Sequence, residues 1–359
     1  MKRLLLVTAL AISCVAANWQ TAEPGWQYEF PRDHHIHPEF KTEWWYFTGN
    51  LEADGKHFGY QLTFFRQGIR PPSERVEGRS RFVVDDLKFA HFTVTDVMGK
   101  RFVFQQKTSR GAYGEAGFDR AEGLAWIESW NLALDGSGAF HLRAESSEAA
   151  LDLQLESAKP PVIHGAEGIS QKAAGAGHAS HYYSLTRLAT TGELRIGEKT
   201  FAVKGASWFD HEWATNQLAP GEIGWDWLSL QLNDGTELML YQMRLENCAA
   251  DPSSSGTLVA ADGTSVHLAS GDFRMSATEY WKSDETTARY PIGWRIEIPA
   301  HQLVFEVRAE LANQELALLP QAYWEGAVEV IGTRKAAPIK GRGYLELTGY
   351  AGPLRELQR

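Results

Sequence analysis

The chain has 359 residues, a length that allows two domains or one large β domain. Its net charge is −10 and it has no basic run, which argues against a nucleic-acid partner, because phosphate contacts need clustered Lys and Arg. With 13 Trp, 12 Tyr and 17 Phe it is rich in aromatic side chains, which favour the pleated, half-buried surface of a β-sheet.

The N-terminal segment has the organisation of a signal peptide. A basic pair at 2–3 precedes an apolar run at 4–12 that is too short to span a bilayer. Small residues favour cleavage that removes 1–17, whereas 10–14 resembles a lipobox, in which Cys14 would carry a lipid. Either route predicts an exported protein, periplasmic in the first case and anchored to an envelope membrane in the second.

Alternation of apolar and polar residues, the period of a β-strand, recurs along the chain. It is clearest over 58–65, 151–156, 294–298 and 303–308. Asp-Gly pairs, which supply the positive φ angles of tight hairpins, occur at 54–55, 135–136, 234–235 and 262–263. Many short strands joined by hairpins predict an all-β sandwich or barrel.

Two segments half a chain apart resemble each other. In 45–61 and in 225–242 a Trp precedes an Asp-Gly turn by the same interval, and a Tyr-Gln pair follows on the returning strand. The repeat predicts two similar barrels, over 30–195 and 200–355, although two generic hairpins could also coincide. The glycine-rich stretch 165–177 is predicted to be a long surface loop and is a candidate lid.

The histidine-rich segment before the first of these hairpins is the first candidate for chemistry. His35 and His37 would share one face of an extended segment, but no Cys or well-spaced third ligand accompanies them, so we predict no metal site. The histidines are expected to close a barrel end through hydrogen bonds. The aromatic run Trp44-Trp45-Tyr46 that follows is a candidate ligand-binding wall.

The segment 207–213 places ionisable groups among large aromatic side chains. In an extended strand His211 and Trp213 share one face, whereas Asp210 and Glu212 share the other. Burial would raise the pKa of a carboxyl or lower that of a histidine, the usual preparation for acid–base catalysis. The alternative is a salt-bridged plug at a barrel mouth.

Acidic residues stand beside tryptophans again at 225–227 and 324–325. Such pairs predict an aromatic cavity with buried acids, since small-molecule pockets are largely apolar with a few placed polar groups. Tyr241 and Arg244 would lie across the hairpin from the first pair. The sequence has no glycine-flanked nucleophilic serine, no phosphate loop and no HExxH motif, so it supports neither a hydrolase nor a cofactor.

Taken together, these clusters resemble the AttH family, predicted secreted proteins related to the carotenoid 1,2-hydratases. The similarity is carried by 37–51, 90–93, 183–187, 207–213, the hairpin 225–242, 323–326 and 346–350. It implies two lipocalin-like antiparallel β-barrels packed together. In the hydratase relatives an acid protonates an alkene beside a π-face. Their His-x-Trp motif corresponds to His211 and Trp213, and Tyr241 is a further match, but Met243 stands where an acid is expected.

We expect an exported protein that binds an apolar small molecule, such as a lipid or isoprenoid, without a cofactor. The alternatives are a cofactor-free hydratase or lyase acting on an alkene, and an accessory protein of an envelope transporter. A cavity with a buried acid of shifted pKa favours the enzyme, an acid-free cavity the carrier, and a filled interior the accessory role. The candidate catalytic residues are Asp210, His211, Glu212, Asp226 and Tyr241. The candidate ligand-binding residues are Trp44, Trp45, Tyr46, His91, Tyr183, Trp213, Trp225, Trp227, Arg244, Trp324 and Glu325.

Overall fold

The computed structural model describes residues 19–76, 80, 82–120, 123–247, 249–318 and 321–354. The predicted signal peptide at 1–17, Cys14 and position 355 at the predicted end of the second barrel lie outside these residues. Within the described ranges no helix is long and apolar enough to cross a membrane. The helical segments there are short 3₁₀-helices at Arg32–His34, Pro72–Glu74 and Pro299–His301.

The first sheet has thirteen antiparallel strands within the described part of the chain. They are β1 (Thr42–Ala53), β2 (Lys56–Gly68), β3 (Asp86–Asp96), β4 (Arg101–Ser109), β5 (Ala116–Arg120), β6 (Gly123–Ile127), β7 (Trp130–Leu134), β8 (Phe140–Glu145), β9 (Ala149–Ser157), β10 (Val162–Ile163), β11 (Ser170–Gln171), β12 (Ala179–Ile196) and β13 (Lys199–Ala214). The order β4-β3-β2-β1-β13-β12-β9-β8-β7-β6-β5 curls into a nearly closed barrel, and β10 and β11 pair with β12.

The second sheet has ten strands in the same ranges and forms a half-barrel. They are β14 (Glu222–Leu232), β15 (Glu237–Leu245), β16 (Ser255–Val259), β17 (Ser265–Ala269), β18 (Arg274–Lys282), β19 (Arg289–Ile298), β20 (Leu303–Ala309), β21 (Glu315–Leu316), β22 (Tyr323–Arg334) and β23 (Ala337–Leu347). The order is β17-β16-β15-β14-β23-β22-β20-β19-β18, with β21 paired to β22. Each sheet buries its own apolar core, and a third apolar cluster lies between the two sheets.

The strands follow from the alternating patterns in the sequence. In β9 the side chains of Leu151, Leu153 and Leu155 are buried, while the polar residues between them are exposed. At the first Asp-Gly turn, Asp54 and Gly55 adopt φ angles of 52° and 73°, as a tight hairpin requires. The expected all-β, lipocalin-like architecture is confirmed, with the second sheet as an open half-barrel.

The chain passes from the first sheet to the second later than the sequence analysis expects. β12 and β13 form a long hairpin whose turn, near Gly197, coincides with the expected boundary at 195–200. Because β13 also pairs with β1, it belongs to the first barrel, and the second sheet begins only at Glu222. A glycine-containing turn within a sheet has the composition of a linker, so composition alone does not distinguish the two.

Both hairpins of the predicted repeat are present, as β1–β2 and β14–β15. The matched tryptophans nevertheless face different surroundings. Trp45 lies inside the first barrel and stacks on His211 with ring centroids 4.7 Å apart, whereas Trp225 faces the space between the sheets. In β14 the side chains of Leu228 and Leu230 pack into the core of the second sheet, so alternation along the strand turns Trp225 to the opposite face. The repeat therefore predicts the hairpins and not the roles of their side chains.

The two sheets approach closely at Gly59 on β2. A Cβ atom at this position would lie 2.7 Å from Cβ of Ala327 on β22 and 3.0 Å from the hydroxyl oxygen of Tyr344 on β23. We expect Gly59→Ala to lower the free energy of unfolding by about 1–3 kcal/mol, the usual cost of overpacking. Chemical denaturation measures the effect against Gly136→Ala, since Gly136 has open space at the same atom. Equal losses in both variants would contradict a tight contact between the sheets.

Candidate active site

A cavity of about 720 Å³ lies between the two sheets, a volume typical of sites for drug-sized molecules. Its aromatic lining residues are Trp44, Tyr46, Phe65, Phe89, Tyr182, Trp225, Trp227, Tyr241 and Tyr323. Its ionisable lining residues are Lys41, Glu43, Arg66, His91, Lys172, Asp210, Glu212 and Glu346, together with the tyrosines. The wall is therefore largely aromatic, with charged groups at a few points.

Strand β13 supplies side chains to two different interiors because both of its faces are buried. Asp210 and Glu212 line the cavity. His211 and Trp213 point the other way, into the first barrel, where their ring centroids are 5.0 Å apart. The alternation expected for 207–213 is present, and the carboxyl groups are on the side that faces the second sheet.

Asp210 is a buried carboxyl group held by three hydrogen-bond donors. Its Oδ1 accepts from the hydroxyl of Ser184 and from Nε1 of Trp208, the latter at 2.6 Å. Its Oδ2 accepts from the hydroxyl of Tyr182 at 2.9 Å. Burial raises the pKa of Asp210 to about 7 although the three donors favour the ionised form, and nearby Glu212 adds to the rise. A carboxyl that titrates near neutral pH can both take and give a proton.

The raised pKa of Asp210 predicts how stability depends on pH. The folded protein keeps this proton up to about pH 7, whereas the unfolded chain releases it near 3.8. Since the folded state holds more protons in that window, stability falls as pH rises through it. Asp210→Asn keeps the side-chain shape and abolishes the titration, while Glu212 and Lys172 remain. Between about pH 5 and pH 8 we expect the variant to lose roughly 1–3 kcal/mol less than the wild type.

Free energies of unfolding measured at the two pH values test this expectation. Glu198→Gln, at an exposed position in the β12–β13 turn, is the matched control. Equal pH-dependent losses in the wild type and Asp210→Asn would show that the buried carboxyl does not carry the dependence.

Glu212 forms a buried ion pair with Lys172, which the sequence analysis does not identify. Nζ of Lys172 lies 3.1 Å from Oε1 of Glu212 and 4.1 Å from the ring centroid of Tyr241. The amide of Gln217 donates to the same carboxylate oxygen at 2.9 Å. Lys172 comes from the stretch 165–177, the predicted surface loop, so this segment contributes a cation to the cavity wall.

The second sheet brings its own acid to the cavity. Oε2 of Glu346 on β23 accepts a hydrogen bond from Nε1 of Trp225 at 2.9 Å, and burial raises the pKa of Glu346 to about 7. Nε1 of Trp227 donates to the hydroxyl of Tyr182 at 3.1 Å and so connects the two sheets. Two carboxyl groups that titrate near neutrality, Asp210 and Glu346, therefore line one cavity.

Two more pairs of side chains join the sheets beside this cavity. The hydroxyl oxygen of Tyr46 lies 2.5 Å from Oε1 of Glu325, and burial holds the pKa of Glu325 well above its usual range. Nδ1 of His91 lies 2.7 Å from the hydroxyl oxygen of Tyr323, and burial lowers the pKa of His91 to about 3. Glu325 therefore contacts the cavity wall through Tyr46, and His91 is neutral at physiological pH.

His211 belongs to a buried ionic network on the barrel side of β13. Its Nε2 lies 3.0 Å from Oε1 of Glu43, which also lies 2.8 Å from Nδ1 of His37. The donor atoms of these three residues lie within 4.8 Å of one another, a spacing that could hold a cation. Each of them is already hydrogen-bonded within the group, and Nε of Arg66 holds the second oxygen of Glu43 at 3.1 Å. We therefore interpret the cluster as a structural network.

The cavity brings some of the predicted residues together and leaves others elsewhere. Those that line it are Trp44, Tyr46, His91, Asp210, Glu212, Trp225, Trp227 and Tyr241. Those buried away from it are Trp45, Tyr183, His211 and Trp213 in the first barrel and Asp226, Arg244 and Trp324 in the second sheet. The alternation of side chains along β14 explains why Asp226 does not line the cavity, since its neighbours Trp225 and Trp227 both face it. Asp226 instead binds Arg244, whose guanidinium stacks 3.7 Å from the ring centroid of Tyr350.

Ser184 and His164 lie near Asp210, but the three residues are not arranged in the way that activates a serine nucleophile. Oγ of Ser184 donates to Asp210 and lies 2.6 Å from Nε2 of His164. In a catalytic triad the histidine stands between the serine and the acid, whereas here the serine stands between the other two. Burial also holds the pKa of His164 well below its usual range, which makes it a poor base. The arrangement of these three residues therefore gives no support to a hydrolase.

Comparison with known proteins finds relatives along almost the whole chain. A crystal structure from Nitrosomonas europaea assigned to AttH has a TM-score of 0.81 and 32% identity, over 92% of this chain and 99% of that one. Kievitone hydratase of Nectria haematococca shares the fold, with a TM-score of 0.69 and 13% identity over 90% of this chain and 93% of its own. The dehydratase asqC of Emericella nidulans is 22% identical over 275 residues, 71% of this chain and 75% of its own length. A family model described as AttH-like matches residues 21–350, and the chain belongs to the AttH-like family.

Proposed function

We propose that the protein is a cofactor-free hydro-lyase, which adds water to, or removes it from, an apolar small molecule held between the two sheets. The observation that carries the proposal is the buried carboxyl of Asp210 at the wall of an aromatic cavity, with a pKa of about 7. Addition and elimination of water each move one proton at carbon and one at oxygen. Both steps are fastest when the groups involved titrate near the working pH.

The environments of the two acids suggest how they divide these proton transfers. Asp210 accepts hydrogen bonds from three donors, which stabilise its carboxylate and suit it to act as the base. Glu346 accepts one, from Trp225, and is the better candidate for the acid that protonates the departing oxygen. In the reverse direction the two groups exchange roles.

The cavity supports an enzyme more strongly than a carrier. A carrier needs an apolar wall, which Trp44, Trp227 and Met243 provide, but it does not need carboxyl groups whose burial costs stability. The accessory role would be favoured by a filled barrel interior without a cavity, whereas a cavity of about 720 Å³ lies between the two sheets. The names of the two relatives, a hydratase and a dehydratase, also support water addition or elimination.

The proposal is tested with an apolar extract of the organism that makes the protein. The purified chain is incubated with the extract, and mass spectrometry searches for compounds that gain or lose the mass of one water. We expect such a product with the wild type and with Glu198→Gln, and not with Asp210→Asn. A compound that binds stoichiometrically but stays unchanged would contradict the hydro-lyase and support a carrier. No bound and no altered compound would contradict both.

Export belongs to the same proposal, since apolar substrates are available at membranes. The intact mass of the protein from its own host tests it. A chain that begins after residue 17, or one that carries lipid on Cys14, would support export, and a chain that retains Met1 would contradict it.

A further inference from the structure

Lys172 places a buried ammonium group at the wall of the candidate active site. The residue is 7% exposed, and its Nζ lies 3.1 Å from Oε1 of Glu212 and 3.1 Å from Oγ of Ser170. Burial alone would lower the pKa of a lysine, but the charge of Glu212, with smaller contributions from Tyr241 and Asp210, raises the pKa of Lys172 above its ordinary value. The group is therefore a cation at neutral pH.

This cation lies close to the acid assigned to proton transfer. Asp210 and Glu212 are two residues apart on one face of β13, a separation of about 7 Å along the strand, and Lys172 binds the second of them. Among the described residues, Glu212 and Ser170 accept two of the three N–H groups that an ammonium offers, and the aromatic ring of Tyr241 lies 4.1 Å from Nζ without an oxygen acceptor for the third. A substrate oxygen bound to the third would bring the adjoining carbon atoms towards Asp210.

We propose that Lys172 binds and polarises a carbonyl oxygen of the substrate, so that the site acts on β-hydroxy carbonyl compounds and their α,β-unsaturated products. This inference rests on the proposed function and names its substrate class. A fixed cation stabilises the negative charge that develops on an enolate oxygen, and it disfavours the carbocation formed when an isolated alkene is protonated. Glu212 offsets part of the charge, but both Lys172 and Gln217 already hold its carboxylate.

The elimination then proceeds through the residues already named. The carboxylate of Asp210 takes the proton from the α-carbon, the C–H electron pair forms the enolate double bond, and the carbonyl π pair moves onto the oxygen held by Lys172. The enolate collapses, the α,β double bond forms and the C–O bond to the β-hydroxyl breaks. Glu346 protonates the leaving hydroxide to water. A proton passed from Asp210 to Glu346 restores both groups, and hydration is the same sequence reversed.

An ionisable phenol that mimics the enolate tests this inference without requiring turnover. The absorption spectrum of 7-hydroxycoumarin distinguishes its phenol from its phenolate, so a pH titration with saturating protein gives the ionisation midpoint of the bound probe. With the wild type we expect a midpoint at least about one pH unit below that of the free probe, a tenfold preference for the phenolate. Lys172→Met should abolish the shift, Lys172→Arg should retain part of it, and Lys199→Met, at an exposed position, should leave it unchanged.

Different results separate this inference from the proposed function. The proposed binding of a substrate oxygen by Lys172 would be overturned by any of three results. These are absence of probe binding, a midpoint at or above that of the free probe, and a shift that persists in Lys172→Met. Hydration of isolated alkenes at an undiminished rate by Lys172→Met would also overturn it, while leaving the hydro-lyase intact. The midpoint could instead be lowered in a way that depends on Lys172 while the protein neither hydrates nor dehydrates any compound. That result would support oxygen binding by Lys172 and contradict the hydro-lyase function. Because Lys172→Arg keeps the charge, it distinguishes loss of the cation from failure to fold.

Discussion

Asp210→Asn is expected to lower kcat for water addition or elimination by about 10²–10⁴-fold, the usual contribution of a positioned general acid or base. The amide has the shape of the carboxyl and can accept the hydrogen bonds of Ser184 and Trp208 on its oxygen. What it cannot do is take a proton at neutral pH. The loss should therefore appear in kcat more than in KM, because an apolar substrate is held mainly by the aromatic walls.

The measurement is a steady-state comparison with the compound that the extract experiment identifies. Glu198→Gln controls for a general change of charge, and the melting temperature of Asp210→Asn shows whether the variant is folded. We expect a melting temperature at least equal to that of the wild type, since the variant no longer buries an ionisable group. A folded variant with kcat within about threefold of the wild type would contradict the assignment of Asp210 as the proton-transfer group.

Arg66→Met is expected to cause the largest loss of stability among the substitutions considered, about 3–5 kcal/mol in the free energy of unfolding. Arg66 is 1% exposed, and its Nε lies 3.1 Å from Oε2 of Glu43. Its Nη1 lies 3.1 Å from Oδ1 of Asp86, and its Nη2 donates to the carbonyls of His37 and Phe40. Removing the guanidinium leaves two buried carboxylates and two buried carbonyls without this partner. These groups stay out of water without a hydrogen-bond partner, and this cost, more than the loss of their attraction to Arg66, is expected to lower the free energy of unfolding.

Urea denaturation of Arg66→Met measures this loss, and Arg143→Met provides the control. Arg143 pairs with Asp152 at 2.9 Å, but both side chains are more than half exposed, so we expect the control to lose no more than about 1 kcal/mol. A loss for Arg66→Met as small as that of the control would mean that the network around Glu43 and His211 does not hold the first barrel together.

The fold and about half of the candidate site residues could be predicted, because apolar and polar residues alternate along the sequence with the period of a β-strand. Asp210 and Glu212 lie on the opposite face of β13 from His211 and Trp213, because successive side chains of a β-strand point to alternate faces. Which pair would face a ligand could not be predicted, because both faces of β13 are buried, one in the barrel and one against the second sheet. Aromatic neighbours are therefore present on both sides, and composition gives no preference.

The residues that sequence reasoning missed lack a local signal. Lys172 stands in a stretch rich in Gly and Ala, and only the fold shows that its ammonium turns inwards to Glu212. Glu346 lies in an ordinary alternating strand, where an acidic residue usually faces water. In the fold the second sheet meets the first there, so Glu346 lines the cavity. The opposite orientations of Trp45 and Trp225 could not be predicted for a similar reason, since β14 carries apolar side chains on both of its faces.

We expect the reaction to take place between the two sheets and not inside the first barrel. A crystal structure of Asp210→Asn with the compound identified from the extract tests it most directly, because the variant should bind the compound without converting it. We expect the compound to lie between the substituted position 210 and Glu346, against Trp225 and Trp227, with one of its oxygen atoms at Lys172. Electron density for the compound inside the first barrel, against His211 and Trp213, would contradict it.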